Sequence, residues 1–144
     1  MEILVRTHSG LRWIALALLL AAIFNALASK GKNRYEKKDK MLNLFTMVFM
    51  HIQLVIGLIL YFISPKVNFV EGWMKMKPLR FFGLEHILLM LIAITMITIG
   101  RRKAENAKIP AKKHGNIIKW YIIGLILILA GIPWPFRNLG AGWF

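Results

Sequence analysis

The chain predicts an all-α fold, a four-helix bundle integral to a membrane, from three observations. Its composition is 58% hydrophobic, with a mean hydropathy of +0.57, yet its formal charge is +14. The two properties are segregated: long apolar runs alternate with short basic segments. The apolar runs number four, and each approaches the ~20 residues that a helix needs to cross about 30 Å of hydrocarbon. At 144 residues the chain has room for one domain, with spans expected over about 3–29, 41–63, 81–100 and 115–133 in up-down-up-down order.

The first span is anchored by the apolar run Trp13 to Ala28 and lengthened by Ile3, Leu4 and Val5. Its end, Ala26-Leu27-Ala28, has the small-residue pattern of a signal-peptidase site. Cleavage there would put Lys30, Lys32, Arg34, Lys37, Lys38 and Lys40 in a translocated tail, against the tendency of basic loops to stay inside, so the run reads as a retained helix. The second span stops at Ser64-Pro65; its polar members are Asn43, Thr46, His51 and Gln53. The third carries Glu85 and His86 in its first turns, and the fourth ends at Pro133-Trp134-Pro135.

Loop charge sets the expected orientation. Residues 30–40 hold the six cations just named, and residues 101–113 hold Arg101, Arg102, Lys103, Lys108, Lys112 and Lys113. These are the cytoplasmic loops by the positive-inside rule, which leaves both termini outside the cytoplasm. Trp13, Tyr61, Phe62, Trp73, Trp134 and Phe136 fall at the outer boundary, as an aromatic belt does. The basic loops also suit anionic lipid heads, so the lipid bilayer is the first expected partner. Nucleic acid is not expected, because the charge lies between apolar runs and not on a separate basic domain.

The absence of cysteine excludes disulfides, thiolate metal sites, iron–sulfur clusters and heme attached through two Cys. Motifs of soluble hydrolases are absent as well: there is no Gly-x-Ser-x-Gly, phosphate-binding glycine loop or His-Glu-x-x-His. Whether any reaction is catalysed is left open.

Ionisable residues inside spans are costly and usually face the bundle interior, which singles out His8, Arg12, His51, Glu85 and His86. His114, beside Lys112 and Lys113, reads as a solvated loop residue. Depth decides which histidines can act together, because two axial ligands of one iron must share a level. His8 and His86 each lie roughly 7 Å below the outer ends of parallel helices at ~1.5 Å per residue, whereas His51 lies roughly 18 Å below and near mid-membrane. His8 and His86 are therefore the pair able to share one iron. Gly10 and Gly83 are expected to leave space beside them, and Arg12, one turn from His8, to meet a heme propionate. Glu85 is expected to pair with Arg12 or to hydrogen-bond a ligand imidazole. A heme-free reading uses the same residues: Arg12 and Glu85 as a buried ion pair, the histidines as hydrogen-bonding partners. His51 serves metal, proton or quinone chemistry, or a bond between helices, with Gln53 pointing away from it and Gly57 permitting close helix packing. The methionines read as core filler, with Met50 and Met90 the candidates for an axial ligand.

Thr7-His8-Ser9-Gly10-Leu11-Arg12-Trp13, His51-Ile52-Gln53-Leu54-Val55-Ile56-Gly57, Glu85-His86 and Ile132-Pro133-Trp134-Pro135-Phe136 resemble small bacterial four-span proteins described as cytochrome b-like. More remotely they are similar to one half of heme A synthase, a four-helix unit whose histidines on two parallel helices ligate a heme near the outer face. The resemblance implies heme b on His8 and His86, a bacterial inner membrane, and redox or heme-handling chemistry. It does not carry over that enzyme's catalytic glutamate, because this chain is one half and Glu85 directly precedes His86. The expected partner of a cytochrome is a quinone or a respiratory-complex subunit, and homo-oligomers fit as well. The alternative of another class is a heme-free accessory or assembly subunit of a membrane complex. A proton-coupled transporter using His51, Glu85 and Arg12 stands third, since no broken helix or internal repeat supports it.

Overall fold

A computed structural model describes residues 1–144. The chain forms four long helices and no strands: α1 (Glu2–Ser29), α2 (Lys37–Ile63), α3 (Lys77–Asn106) and α4 (Pro110–Gly131). Each is long and apolar enough to cross a membrane, so the fold is compatible with a multi-pass membrane protein. Only 26 of the 144 residues are buried, while large apolar side chains such as Phe24 (64%), Val55 (57%) and Ile126 (61%) stand exposed around the bundle. Water-soluble monomers do not present so much outward apolar surface.

The helices outrun the apolar spans at their polar ends. Hydropathy marks where a helix is greasy, whereas capping chemistry marks where it starts. α2 begins at Lys37 and not at 41 because Glu36 and Asp39 form a reciprocal capping box, with Asp39 Oδ2 accepting from Glu36 N at 2.7 Å. α4 begins at Pro110 and not at 115; proline lacks the N–H that a first helical turn leaves unpaired, and its fixed φ suits the position. α3 likewise opens on Lys77-Pro78 and not at Phe81, and it continues past Gly100 to Asn106. The basic segment 101–113 is thus mostly helix.

α1 packs on α2, α2 on α3, α3 on α4 and α4 on α1, a closed ring in which α1 and α3 face each other diagonally. Neighbours run antiparallel. At one end the starts of α1 and α3 meet the ends of α2 and α4: Gln53 donates to His8 O, and Tyr61 donates to Gly83 O. Both chain termini are at this end, tied by Arg12 donating to Trp143 O. The core between the ends is aliphatic, with Leu19, Ala22, Ala93, Ile97 and Ile117 fully enclosed.

The opposite end is closed by polar side chains. Asn25 Nδ2 donates to Asp39 Oδ1 at 2.7 Å, linking α1 to α2. Tyr35 accepts from Asn43 and donates to Glu105, and Tyr121 donates to Asn43 O. Burial pushes the Tyr35 hydroxyl up to about 12, which keeps it a donor. His114 is a correction to the sequence reading: it is fully buried, donates from Nε2 to Arg34 O and packs on the Tyr35 ring at 5.0 Å. Its helix starts at Pro110, one turn before it, so it faces the bundle and not a loop.

Asp39 holds a cap and an interhelical bond with one carboxylate while 1% exposed. Asp39→Ala removes both and strands the Asn25 amide, a loss of roughly 2–4 kcal/mol. Thermal unfolding in detergent, followed by circular dichroism, should show a clearly lowered midpoint; an unchanged midpoint would refute this role.

Candidate functional site

The start of α3 is irregular where it matters. After one α-helical turn the backbone widens into a π-helical turn over Phe81–Glu85, with His86 N donating to Phe81 O. The extra residue in that turn rotates every later side chain about the helix axis. His86 then faces the bundle interior, and Glu85 stays on the outer side, paired with Arg80 Nε at 2.7 Å. Tyr61 of α2 supplies a donor to the π turn through Gly83 O at 2.9 Å.

His8 and His86, the pair selected from the sequence, are direct neighbours. Their ring centroids are 6.3 Å apart and their planes cross at 82°. His86 Nδ1 is 2.7 Å from Gly131 O. A carbonyl oxygen only accepts, so Nδ1 carries the hydrogen and the neutral ring keeps its lone pair on Nε2. His8 makes no ring hydrogen bond, and its Nδ1 is enclosed without a partner. Packing holds it instead: a Cβ at Gly57 would lie 3.1 Å from His8 Cε1, so the glycine clears the space in which the ring lies.

The two rings border a cavity of about 170 Å³. Apolar residues from all four helices line it, among them Leu16, Met50, Leu54, Met90 and Ile128. Its polar lining includes Gln53, Tyr61, Arg12 and Lys66, and no carboxylate is present. The Gln53 Oε1 and Arg12 Nε atoms are buried without partners.

With metal–nitrogen bonds of about 2.0 Å and each ring centre about 1.1 Å behind its nitrogen, two imidazoles opposed on one ion have centroids about 6 Å apart. The observed 6.3 Å is close to that value, and with planes crossing at 82° it is also the separation of an edge-to-face contact between the two rings. No three His, Cys, Asp or Glu side chains converge anywhere in the chain, so protein donors alone supply two ligands to such an ion. The remaining positions would have to come from the ligand itself, as they do in a tetrapyrrole. The donor set, the free Nε2 of His86 and the apolar walls therefore fit a heme. The void is smaller than a porphyrin, and the parts able to give are the flexible thioethers of Met50 and Met90 and the segment that covers the mouth.

Other expected site residues are placed differently. Arg12 lines the cavity, but its Nη2 donates to Trp143 O at 2.6 Å and it makes no ion pair with Glu85. Glu85 is outside the cavity lining because the π turn and Arg80 hold it outward. His51 lies on another face of α2, in an outward groove with Val48, Ile52, Val55 and Ile56. Its Nε2 is 2.9 Å from Thr98 Oγ1, whose own hydrogen goes to Ile94 O, so His51 donates and the bond ties α2 to α3. Gly10 and Gly83 do not make room for the ligands: Gly10 faces open space, and Gly83 is packed by Phe69 and Trp73.

Three residues join the site that sequence reasoning leaves out of it. Gln53 lines the cavity and supports the His8 backbone. Gly57 packs, as expected, but its partner is the His8 ring. Lys66, which counts as loop charge in the sequence, reaches the cavity mouth. The signal for the first two is a polar residue and a glycine four apart, hence on one face of α2; for Lys66 there is none. Comparisons of the chain with family models, curated proteins and solved structures find no match, and the chemistry of the site rests on its own residues.

Proposed function

We propose that this chain is an integral membrane b-type cytochrome that holds heme b between His8 and His86, for electron transfer or heme handling. The observation that supports the reading is the pair of imidazoles 6.3 Å apart on diagonally opposed helices, one of them bonded through Nδ1 to the Gly131 carbonyl so that Nε2 keeps its lone pair. Such a hydrogen bond on the remote nitrogen orients a ligand ring and raises its basicity. When bound, the group supplies a one-electron couple at iron. The chain's part would be to present the His8 and His86 imidazoles, to exclude water with aliphatic walls, and to place Arg12 and Lys66 at the rim. In this reading the membrane is a bacterial inner membrane, and the charge of segments 30–40 and 101–113 supports an orientation with the polar-capped end toward the cytoplasm and the histidine end toward the outer face. A quinone or a respiratory subunit is the electron-transfer partner.

The second reading, a heme-free accessory subunit, draws support from bonds that are complete without a ligand: His86 to Gly131, Arg12 to Trp143 and Gln53 to His8. An absorbance spectrum separates the two. Protein purified from heme-replete cells is expected to show a Soret band and, on dithionite reduction, a sharp alpha band. A colourless preparation from the same cells would leave the accessory reading standing.

A further inference from the structure

Two cations line the cavity, and nothing negative faces them. Arg12 Nη2 and Lys66 Nζ each spend their charge on a neutral acceptor, the main-chain oxygens of Trp143 and Gly140, both at 2.6 Å. Arg12 Nε is enclosed with no acceptor at all. Of the acidic side chains at this end, Glu85 pairs with Arg80, Glu2 pairs with Arg6 and Glu71 is exposed in the loop after α2; none of the three lines the cavity. Arg12 is half-buried, so a carboxylate would stabilise it more than a neutral carbonyl does, charge-assisted bonds being roughly twice as strong; Lys66 is exposed and stands as a solvated cation at the mouth.

The same two bonds hold down residues 138–144. Leu139 is 3% exposed, Ala141 lines the cavity, and the Trp143 ring lies on Trp13 with centroids 6.2 Å apart. Trp13 Nε1 also donates to Trp143 O, at 3.0 Å. This segment therefore closes the cavity mouth by using the cations as its fastening points.

We propose that Arg12 and Lys66 form a two-cation clamp for the acidic groups of an amphiphile whose apolar body enters the cavity, and that residues 138–144 are the seal these groups displace. The ligand class is a flat apolar dicarboxylate; its identity as heme rests on the cofactor reading above, whereas the clamp itself rests on the uncompensated charge. The competition is direct, because the carbonyls of Gly140 and Trp143 occupy the donors that carboxylates would take.

The chain contains no cysteine, so Gly142→Cys provides a single reporter on the seal, at a position where a Cβ meets nothing closer than 3.7 Å. The full chain is prepared from heme-depleted cells in phosphatidylcholine nanodiscs, and thiol labelling by an impermeant maleimide is timed. Hemin is expected to speed labelling about tenfold, and hemin dimethyl ester, which lacks the charges, to leave it unchanged. Arg12→Gln and Lys66→Gln are each expected to weaken hemin binding tenfold or more without altering binding of the ester, and Arg12→Lys to restore part of the loss. Equal affinity for hemin and ester in all variants, or labelling that hemin does not change, overturns the clamp while leaving the cofactor reading intact. Failure of both hemin and ester to bind the unmodified chain overturns the cofactor reading instead, and the clamp's ligand with it. Nanodiscs containing phosphatidylglycerol test the other source of anionic amphiphile; labelling accelerated by that lipid without hemin overturns the proposal in favour of a headgroup site.

Discussion

His86→Ala is expected, on the proposed cytochrome reading, to abolish or strongly alter the absorbance of the bound pigment. His8→Ala is expected to do the same, but the two losses should differ in what else they disturb. His86 is bonded through Nδ1 to Gly131 O, the last turn of α4, so its removal also frees a carbonyl where α3 meets α4. The His8 ring makes no hydrogen bond and is held by packing on Gly57 and the His86 ring, so His8→Ala empties space without breaking a hydrogen bond. Absorbance and electron paramagnetic resonance of the purified variants check the spectrum; unfolding in detergent checks stability, with His86→Ala the less stable. Wild-type spectra from either variant would remove that histidine from the site and end the proposed ligand pair. His51→Ala is the internal comparison: its bond is to Thr98, so pigment should persist while the α2–α3 contact weakens.

Gly100→Ala is expected to act on the fold itself. A Cβ there would overlap Trp120 Cβ and lie 3.1 Å from its Cγ, atoms at the root of the side chain that cannot swing aside. α3 and α4 must separate locally, which costs about 1–3 kcal/mol by the measure of overpacked cores, toward the upper end here because the overlapping atoms cannot swing aside. Gly124 makes a similar approach, with its would-be Cβ 2.6 Å from Ile97 Cγ1. Small residues of this kind let helix backbones come close where no hydrophobic drive between helices exists in lipid. Gly10→Ala is the control, since a Cβ there meets nothing and helix propensity favours alanine by up to about 1 kcal/mol. Chemical unfolding in mixed micelles should therefore rank Gly10→Ala at or above the parent and Gly100→Ala far below it. Equal stability of the two variants would mean that α3 and α4 are not in the close contact described.

Much of the architecture is legible because the physics that sets it is local. Four apolar runs of spanning length need no tertiary information to be seen, nor does the clustering of cations between them. The depth of a histidine along its helix is likewise a matter of counting, and counting puts His8 and His86 at one level. Helix starts are less legible: Glu36 with Asp39 and the prolines 78 and 110 are capping signals that a hydropathy boundary passes over. Gln53, one turn from Gly57, escapes the sequence reading because its partner is a backbone oxygen on another helix.

The amino-acid sequence by itself determined that the chain is helical and how many long apolar helices it has. Those outcomes follow from periodicity and transfer free energy, which act residue by residue. Tertiary structure alone decided which ionisable side chains meet. The π turn before His86 turned Glu85 outward, the closed ring of helices set α1 diagonally opposite α3, and residues 138–144 came back to Arg12 and Lys66. Each depends on rotation about a helix axis or on a contact between segments distant in the chain, and one added residue in a turn is enough to change which face a side chain presents.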